Sequence, residues 1–130
     1  MFETPAWRWN TLPGAPTPGT VLAQIDDITD GCALLLTLEN SQPPFRIILL
    51  RSAEQVFAYV NRCAHLGVPL ATKTEHLYLK PHQNFTCSVH YARFRWADGV
   101  CDYGDCAGEA LLSIPISIIG KNIVVADTIG

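Results

Sequence analysis

The sequence predicts an all-β fold, on three observations. Short runs rich in β-branched and aromatic residues recur along the chain, turn signals separate them, and no stretch keeps a 3.6-residue apolar period over a dozen residues. The runs are Val21 to Ile25, Cys32 to Leu38, Phe45 to Leu50, Val56 to Val60, Leu77 to Leu79, Phe85 to Cys87, Ala92 to Trp96, Ile114 to Ile119 and Ile123 to Ala126. Asp30-Gly31, Pro43-Pro44, Asp98-Gly99 and Gly120-Lys121-Asn122 punctuate them. Ser52 to Phe57 has the length of one helical turn, but its continuation through Val60 favours a strand, so helix is expected to be scarce. In residues 1–20, Pro5, Pro13, Pro16 and Pro18 prevent a regular helix, and this segment is expected to be an arm packed on the body.

A chain of 130 residues has room for one domain, here 1–130. Hydrophobic residues make up 48% and charged residues 16%, which excludes disorder as the dominant state. Nine Lys and Arg against 12 Asp and Glu leave a net charge of −3, too little to suggest a basic nucleic-acid face. The longest aliphatic runs, Ala33 to Leu36 and Ile47 to Leu50, fall far short of a membrane span, so no membrane partner is expected. The opening MFETPAWRWN has no basic stretch followed by an apolar one, which makes cytoplasm the expected location. Five Cys, an odd number, argue against a disulfide framework and for metal ligation or plain thiols.

Residues 62 to about 106 hold most of the Cys, His and Tyr. Two short motifs lie there, Cys63-Ala64-His65 and Cys87-Ser88-Val89-His90, with 21 residues between them. Each offers one thiolate and one imidazole, the donors used by zinc and iron–sulfur sites. A zinc finger presents a Cys pair and then a His pair. The order Cys, His, Cys, His suits a binuclear iron–sulfur cluster approached by two loops. A structural zinc site, or two thiols with two surface histidines, remain the alternatives on the residues alone.

The segments CAHLGVPL and CSVHYARF resemble the two cluster loops of Rieske [2Fe–2S] proteins. The similarity extends through IILLRSAEQVFAYVNRCAH upstream and WADGVCDYGDCAGEALLSIPISIIGKNIVV downstream, covering about residues 20 to 127. It implies small antiparallel sheets, with a cluster-binding subdomain at 61–106 inserted in a basal β-sandwich or barrel built from 21–60 and 107–127. It further implies that Cys63 and Cys87 hold the buried iron and His65 and His90 the outer one. Gly67 then fits a tight turn beside the cluster, and Pro69 stiffens the loop's exit.

Three departures from the family pattern follow. Tyr91 stands where many members have Gly. The gap between the motifs is longer than the commonest spacing, and its extra length is expected to form a hairpin from His76 to Phe85 beside the cluster subdomain. The positions that match the inter-loop disulfide and the hydroxyl donors of high-potential members are Val68, Val89, Ala92 and Phe94, all apolar. Without those donors the electron added on reduction is less stabilised, so the potential is expected on the order of −150 mV. His ligation itself sets the scale. Two ferric ions, two sulfides, two thiolates and two neutral imidazoles sum to zero charge, whereas four thiolates leave a doubly negative cluster that resists an electron.

Of the remaining residues, Cys32 is expected to pack in a strand, and Cys101 and Cys106 to be thiols. His76 and His82 are expected as exposed loop histidines, and Phe94 and Trp96 as alternating core residues. Tyr91, Arg93 and Trp96 are the candidates for a docking face. The carboxylates Asp98, Asp102, Asp105 and Glu109 form no catalytic pair, and there is no Gly-rich phosphate loop. The resemblance implies a one-electron carrier with no substrate chemistry of its own, a ferredoxin between a flavin reductase and a terminal oxygenase. At 130 residues the mononuclear-iron domain of such an oxygenase is not expected. Two alternatives are the small subunit of a nitrite-reductase-like enzyme and an iron or redox sensor. Ala92→Ser is expected to raise the midpoint potential in a spectroscopically monitored redox titration; an unchanged potential would show that the new hydroxyl reaches no sulfur.

Overall fold

The computed structural model describes residues 15–38, 45–61, 77–87, 93–103 and 110–126. Ten strands run through them: β1 (Val21–Gln24), β2 (Ala33–Leu38), β3 (Phe45–Ser52), β4 (Gln55–Val60), β5 (Leu77–Lys80), β6 (Asn84–Cys87), β7 (Arg93–Arg95), β8 (Cys101–Tyr103), β9 (Ile116–Ile119) and β10 (Asn122–Val125). The only helix among the described residues is a 3₁₀ turn over Ile25–Asp27. All pairings are antiparallel, in three sheets ordered β1-β10-β9, β2-β3-β4 and β5-β6-β7-β8. The fold is the all-β arrangement of small antiparallel sheets that the sequence predicts.

The middle sheet explains the unbroken run Ile47-Ile48-Leu49-Leu50, which does not alternate in polarity because both faces of β3 are covered. Successive side chains point to opposite faces. Phe45, Ile47 and Leu49 join Val56, Ala58 and Val60 of β4 and pack on Ile25, Ile28, Ile123 and Val125 beside the β1-β10-β9 sheet. Ile48, Leu50 and Tyr59 face the other way and pack on Phe85, Phe94, Trp96 and Cys101 of the four-stranded sheet. The register aligns Leu79, Phe85, Phe94 and Cys101 in one row across all four strands of that sheet, so it presents a single apolar line to the middle layer. Phe85 and Phe94 stack with centroids 5.5 Å apart.

Three local differences from the predicted strands have plain causes. Ile114–Pro115 is not strand, because proline removes a ladder donor; β9 starts at Ile116. Ile114 is still buried, and Ser113 bridges Tyr59. The strand β8 is absent from the prediction because Cys101-Asp102-Tyr103 is too short and polar to stand out. The hairpin expected from His76 to Phe85 spans Leu77–Cys87, with its turn at residues 81–83, and is not a lateral extra: β6 is an interior strand of its sheet.

The return segment 110–114 stitches two sheets together. Leu111 N–H donates to the Gly99 carbonyl at 3.0 Å, Val60 N–H to the Leu112 carbonyl at 2.9 Å, and Ile114 N–H to the Ala58 carbonyl at 2.9 Å. Arg51 closes the opposite edge, its Nη1 donating to the carbonyls of Ile25 and Ile28 at 3.2 and 2.9 Å. If the middle sheet is the common core, Ile48→Ala should cost about 2–5 kcal/mol of unfolding free energy in denaturant titration. Ile119→Ala, at a side chain 61% exposed, should stay within about 0.5 kcal/mol of the wild type.

Candidate metal centre

The pairing register sets where the two motif-bearing segments join the described strands. At one end of the four-stranded sheet, Leu77 pairs with Cys87, Thr86 with Arg93, and Arg93 with Tyr103. Segment 62–76, which carries Cys63 and His65, therefore rejoins the sheet beside Cys87, where segment 88–92 with His90 departs. Segment 104–109 leaves from the same end, after Tyr103. Cys87 is the last residue of β6. The other three predicted ligands, Cys63, His65 and His90, lie outside the described residues, as do Gly67, Val68, Pro69, His76, Val89, Tyr91, Ala92, Asp105, Cys106 and Glu109. Among the described residues no three His, Cys, Asp or Glu gather as a metal site. The donor set of two thiols and two imidazoles, on segments that share one sheet end, fits a binuclear cluster with mixed ligation.

The rim of this end is shaped by a bulge. Arg93 pairs with Tyr103 and Phe94 with Cys101, which leaves Asp102 as an extra residue. Cys101 turns inward and is buried, while Asp102 and Tyr103 both face outward. Cys101 Sγ–H donates to the Tyr103 carbonyl at 3.3 Å. Arg93 Nε donates to Asp102 Oδ1 at 2.7 Å, and its guanidinium carbon lies 5.6 Å from the centroid of the Tyr103 ring. An exposed aromatic ring is thus held by a cation that is itself pinned.

The opposite end of the sheet anchors it to the middle layer. Tyr59 Oη–H donates to the Trp96 carbonyl at 2.5 Å in a buried bond. Burial, reinforced by the Asp98 charge, pushes the Tyr59 phenol well above its ordinary value, so it remains a donor. Gly99 sits on the Tyr59 ring with φ +71°, where an added Cβ would fall 2.8 Å from Cε1. Asp98 ties the same turn, accepting from Arg95 Nε and Nη2 at 3.1 and 2.6 Å and from Val100 N–H at 3.0 Å. The Arg95 bonds, then the Val100 bond, hold the Asp98 carboxyl below the usual carboxylate range. His82, in the β5–β6 turn at φ +68°, places Nδ1 2.7 Å from Ser52 Oγ and its ring 5.7 Å from that of Trp96. Among the described residues, buried Trp96 Nε1 finds no hydrogen-bond partner.

Several sequence expectations are placed by these contacts. Trp96 is 1% exposed and belongs to the core at the far end, not to a docking face at the motif end. Phe94, which matches the position of a hydroxyl donor in high-potential members, is fully buried against Phe85. His82 is exposed, as expected, but engaged with Ser52. Cys32 packs against the apolar core of the basal sheets. Asp98 and Asp102 each pair with an arginine. Sequence reasoning missed the roles of Tyr59 and Gly99. Their only sequence signals are a Tyr four residues before the first motif and a Gly in the turn after β7.

A family model for the Rieske [2Fe–2S] domain matches residues 20–125, and the chain belongs to that family. Its cofactor is accordingly a Rieske-type [2Fe–2S] cluster, and it is a Rieske electron carrier. The fold is similar to the ferredoxin of carbazole 1,9a-dioxygenase from Nocardioides aromaticivorans IC177, at TM-score 0.63 and 19% identity, over 86% of this chain and 100% of that one. It is similar to the Sphingomonas yanoikuyae B1 ferredoxin at TM-score 0.66 and 18% identity, over 85% and 99%. The terminal oxygenase of carbazole 1,9a-dioxygenase from Novosphingobium sp. KA1 matches at TM-score 0.67 and 19% identity, over 84% of this chain but 30% of that one. No curated protein sequence matches the chain. Among the described residues no helix is long and apolar enough to cross a membrane.

The Asp98 contacts carry a pH signature. A carboxyl held below its unfolded value stabilises the fold above that value and loses the contribution as pH falls through the folded one. Asp98→Asn should therefore lower the melting midpoint modestly at pH 7, with the gap to wild type narrowing as the pH falls towards and below 3.8. A gap that stays constant into acid would contradict this.

Proposed function

We propose that Cys63 and Cys87 ligate one iron of the cluster and His65 and His90 the other, and that the chain passes single electrons between a flavin reductase and a terminal oxygenase. The observation that supports the ligand assignment is the Leu77–Cys87 register, which puts the C-terminal end of the first motif segment and the start of the second at one end of one sheet. Residues 61–106 then act as the cluster-binding subdomain on the basal strands of 21–60 and 107–127. The chemistry supplied by the bound group is reversible one-electron transfer near neutral cluster charge. This chain's residues would supply the donors from the two motif segments, while the apolar row of Phe85 and Phe94 fixes the four-stranded sheet on the middle layer and leaves the motif end for a partner.

The oxygenase reading is favoured over an enzyme subunit by the kind of protein the chain resembles. It spans nearly the whole length of two free-standing ferredoxins. One of these is a component of carbazole 1,9a-dioxygenase, and the same fold occupies less than a third of a terminal oxygenase. The apolar residues at the four positions that would carry a disulfide or hydroxyl donors support a low potential, suited to accepting electrons from a flavin.

Anaerobically purified protein should contain about two irons and two sulfides per chain. Cys63→Ser and Cys87→Ser should abolish assembly, and His65→Ala and His90→Ala should bleach or convert the visible spectrum. A variant in this set with the wild-type spectrum contradicts the assignment. Rapid reduction by a ferredoxin reductase supports the carrier role, whereas reduction only within a complex with a sirohaem enzyme contradicts it.

A further inference from the structure

We propose that Tyr59 is a positioning residue that fixes the first ligand-bearing segment against the second and so sets how firmly the cluster is retained. This rests on the ligand assignment above. The two segments come from different sheets. Residues 62–76 follow Asn61 at the end of β4, while 88–92 join β6 to β7. Anything that lets β4 slide against the four-stranded sheet therefore shifts Asn61, from which the first segment departs, relative to Cys87 and Arg93, which bound the second.

Tyr59 sits on β4 four residues before Cys63, and its buried hydroxyl donates to Trp96 just past the end of β7. Among the described residues one other side-chain hydrogen bond joins these two sheets, between Ser52 and His82, and it is exposed. The Tyr59 ring also shapes the β7–β8 turn, because Gly99 lies against it where no Cβ fits. Bond and ring contact both act on the turn that closes the strand leading out of the second motif. Backbone bonds from Leu111 and Val60 keep the segment after β8 attached when the hydroxyl is removed, so Tyr59→Phe is a change the fold can absorb.

Losing one buried hydrogen bond, with a core carbonyl deprived of its donor, corresponds to about a tenfold rise in an opening equilibrium. Cluster release that proceeds through this opening rises in the same proportion. The experiment compares wild type, Tyr59→Phe, Gly99→Ala and Ile123→Ala as loaded proteins, Ile123 being fully buried in the basal core away from this contact. It follows bleaching of the visible band in excess iron chelator, the EPR spectrum after reduction, and the melting temperature. Tyr59→Phe should start with the wild-type iron and sulfide content, release iron about tenfold faster, and show a shifted or broadened EPR signal. Gly99→Ala, which forces its new Cβ onto the ring, should move both readouts in the same direction. Ile123→Ala should melt earlier yet release iron at the wild-type rate with an unchanged EPR signal. The proposal is overturned if Tyr59→Phe matches wild type in release rate and EPR. It is equally overturned if Ile123→Ala speeds release as much as Tyr59→Phe. A wild-type chain lacking iron and sulfide overturns the ligand assignment and this inference together, whereas a loaded wild type with an unaffected Tyr59→Phe overturns this inference alone.

Discussion

The constraint on which the molecule depends is that the middle sheet, β2-β3-β4, must bury both faces. Its central strand β3 is apolar on both faces, so a cover on one side alone would leave either Ile47 and Leu49 or Ile48 and Leu50 in water. Here Ile47 and Leu49 draw the basal strands β1 and β10 onto one side, while Ile48, Leu50 and Tyr59 draw the four-stranded sheet onto the other. The four-stranded sheet is thus not an appendage. It is one of two covers that the central layer needs, although β5 to β8 have only three or four residues each.

From that packing follows a division of labour between the two ends of the four-stranded sheet. The end with Trp96, Gly99 and His82 fastens to the middle layer through hydrogen bonds and ring contacts. The other end carries the paired residues Leu77, Cys87, Arg93 and Tyr103 from which the motif segments depart. The bulge at Asp102 belongs to the same logic, since it turns an arginine and a tyrosine outward at the edge of the ligand-bearing end.

Much of the fold was legible in the sequence because strands announce themselves in composition and turns in Gly and Asp. Nine of the ten strands coincide with predicted runs, although their ends shift by a few residues. What remained hidden shares a physical cause. β8 is too short for any periodicity, and its place is set by pairing with β7. The hairpin at 77–87 was expected as an insertion because chain length between motifs says nothing about which strands lie inside a sheet. The unbroken run in β3 signalled burial but not that two different sheets would supply it. At the site, the candidate donors rest on residue types and spacing. The bond from the Tyr59 hydroxyl was not legible, because its partner is a backbone carbonyl 37 residues away that no sequence pattern encodes.

Pulsed EPR of the reduced protein tests the mixed ligation most directly, because it detects nitrogen bound to the paramagnetic centre. Two imidazole nitrogen couplings in the wild type, reduced to one in the single variants that still load metal, are the predicted result. A signal with no nitrogen coupling, or purified protein holding one zinc ion and no sulfide, would contradict it.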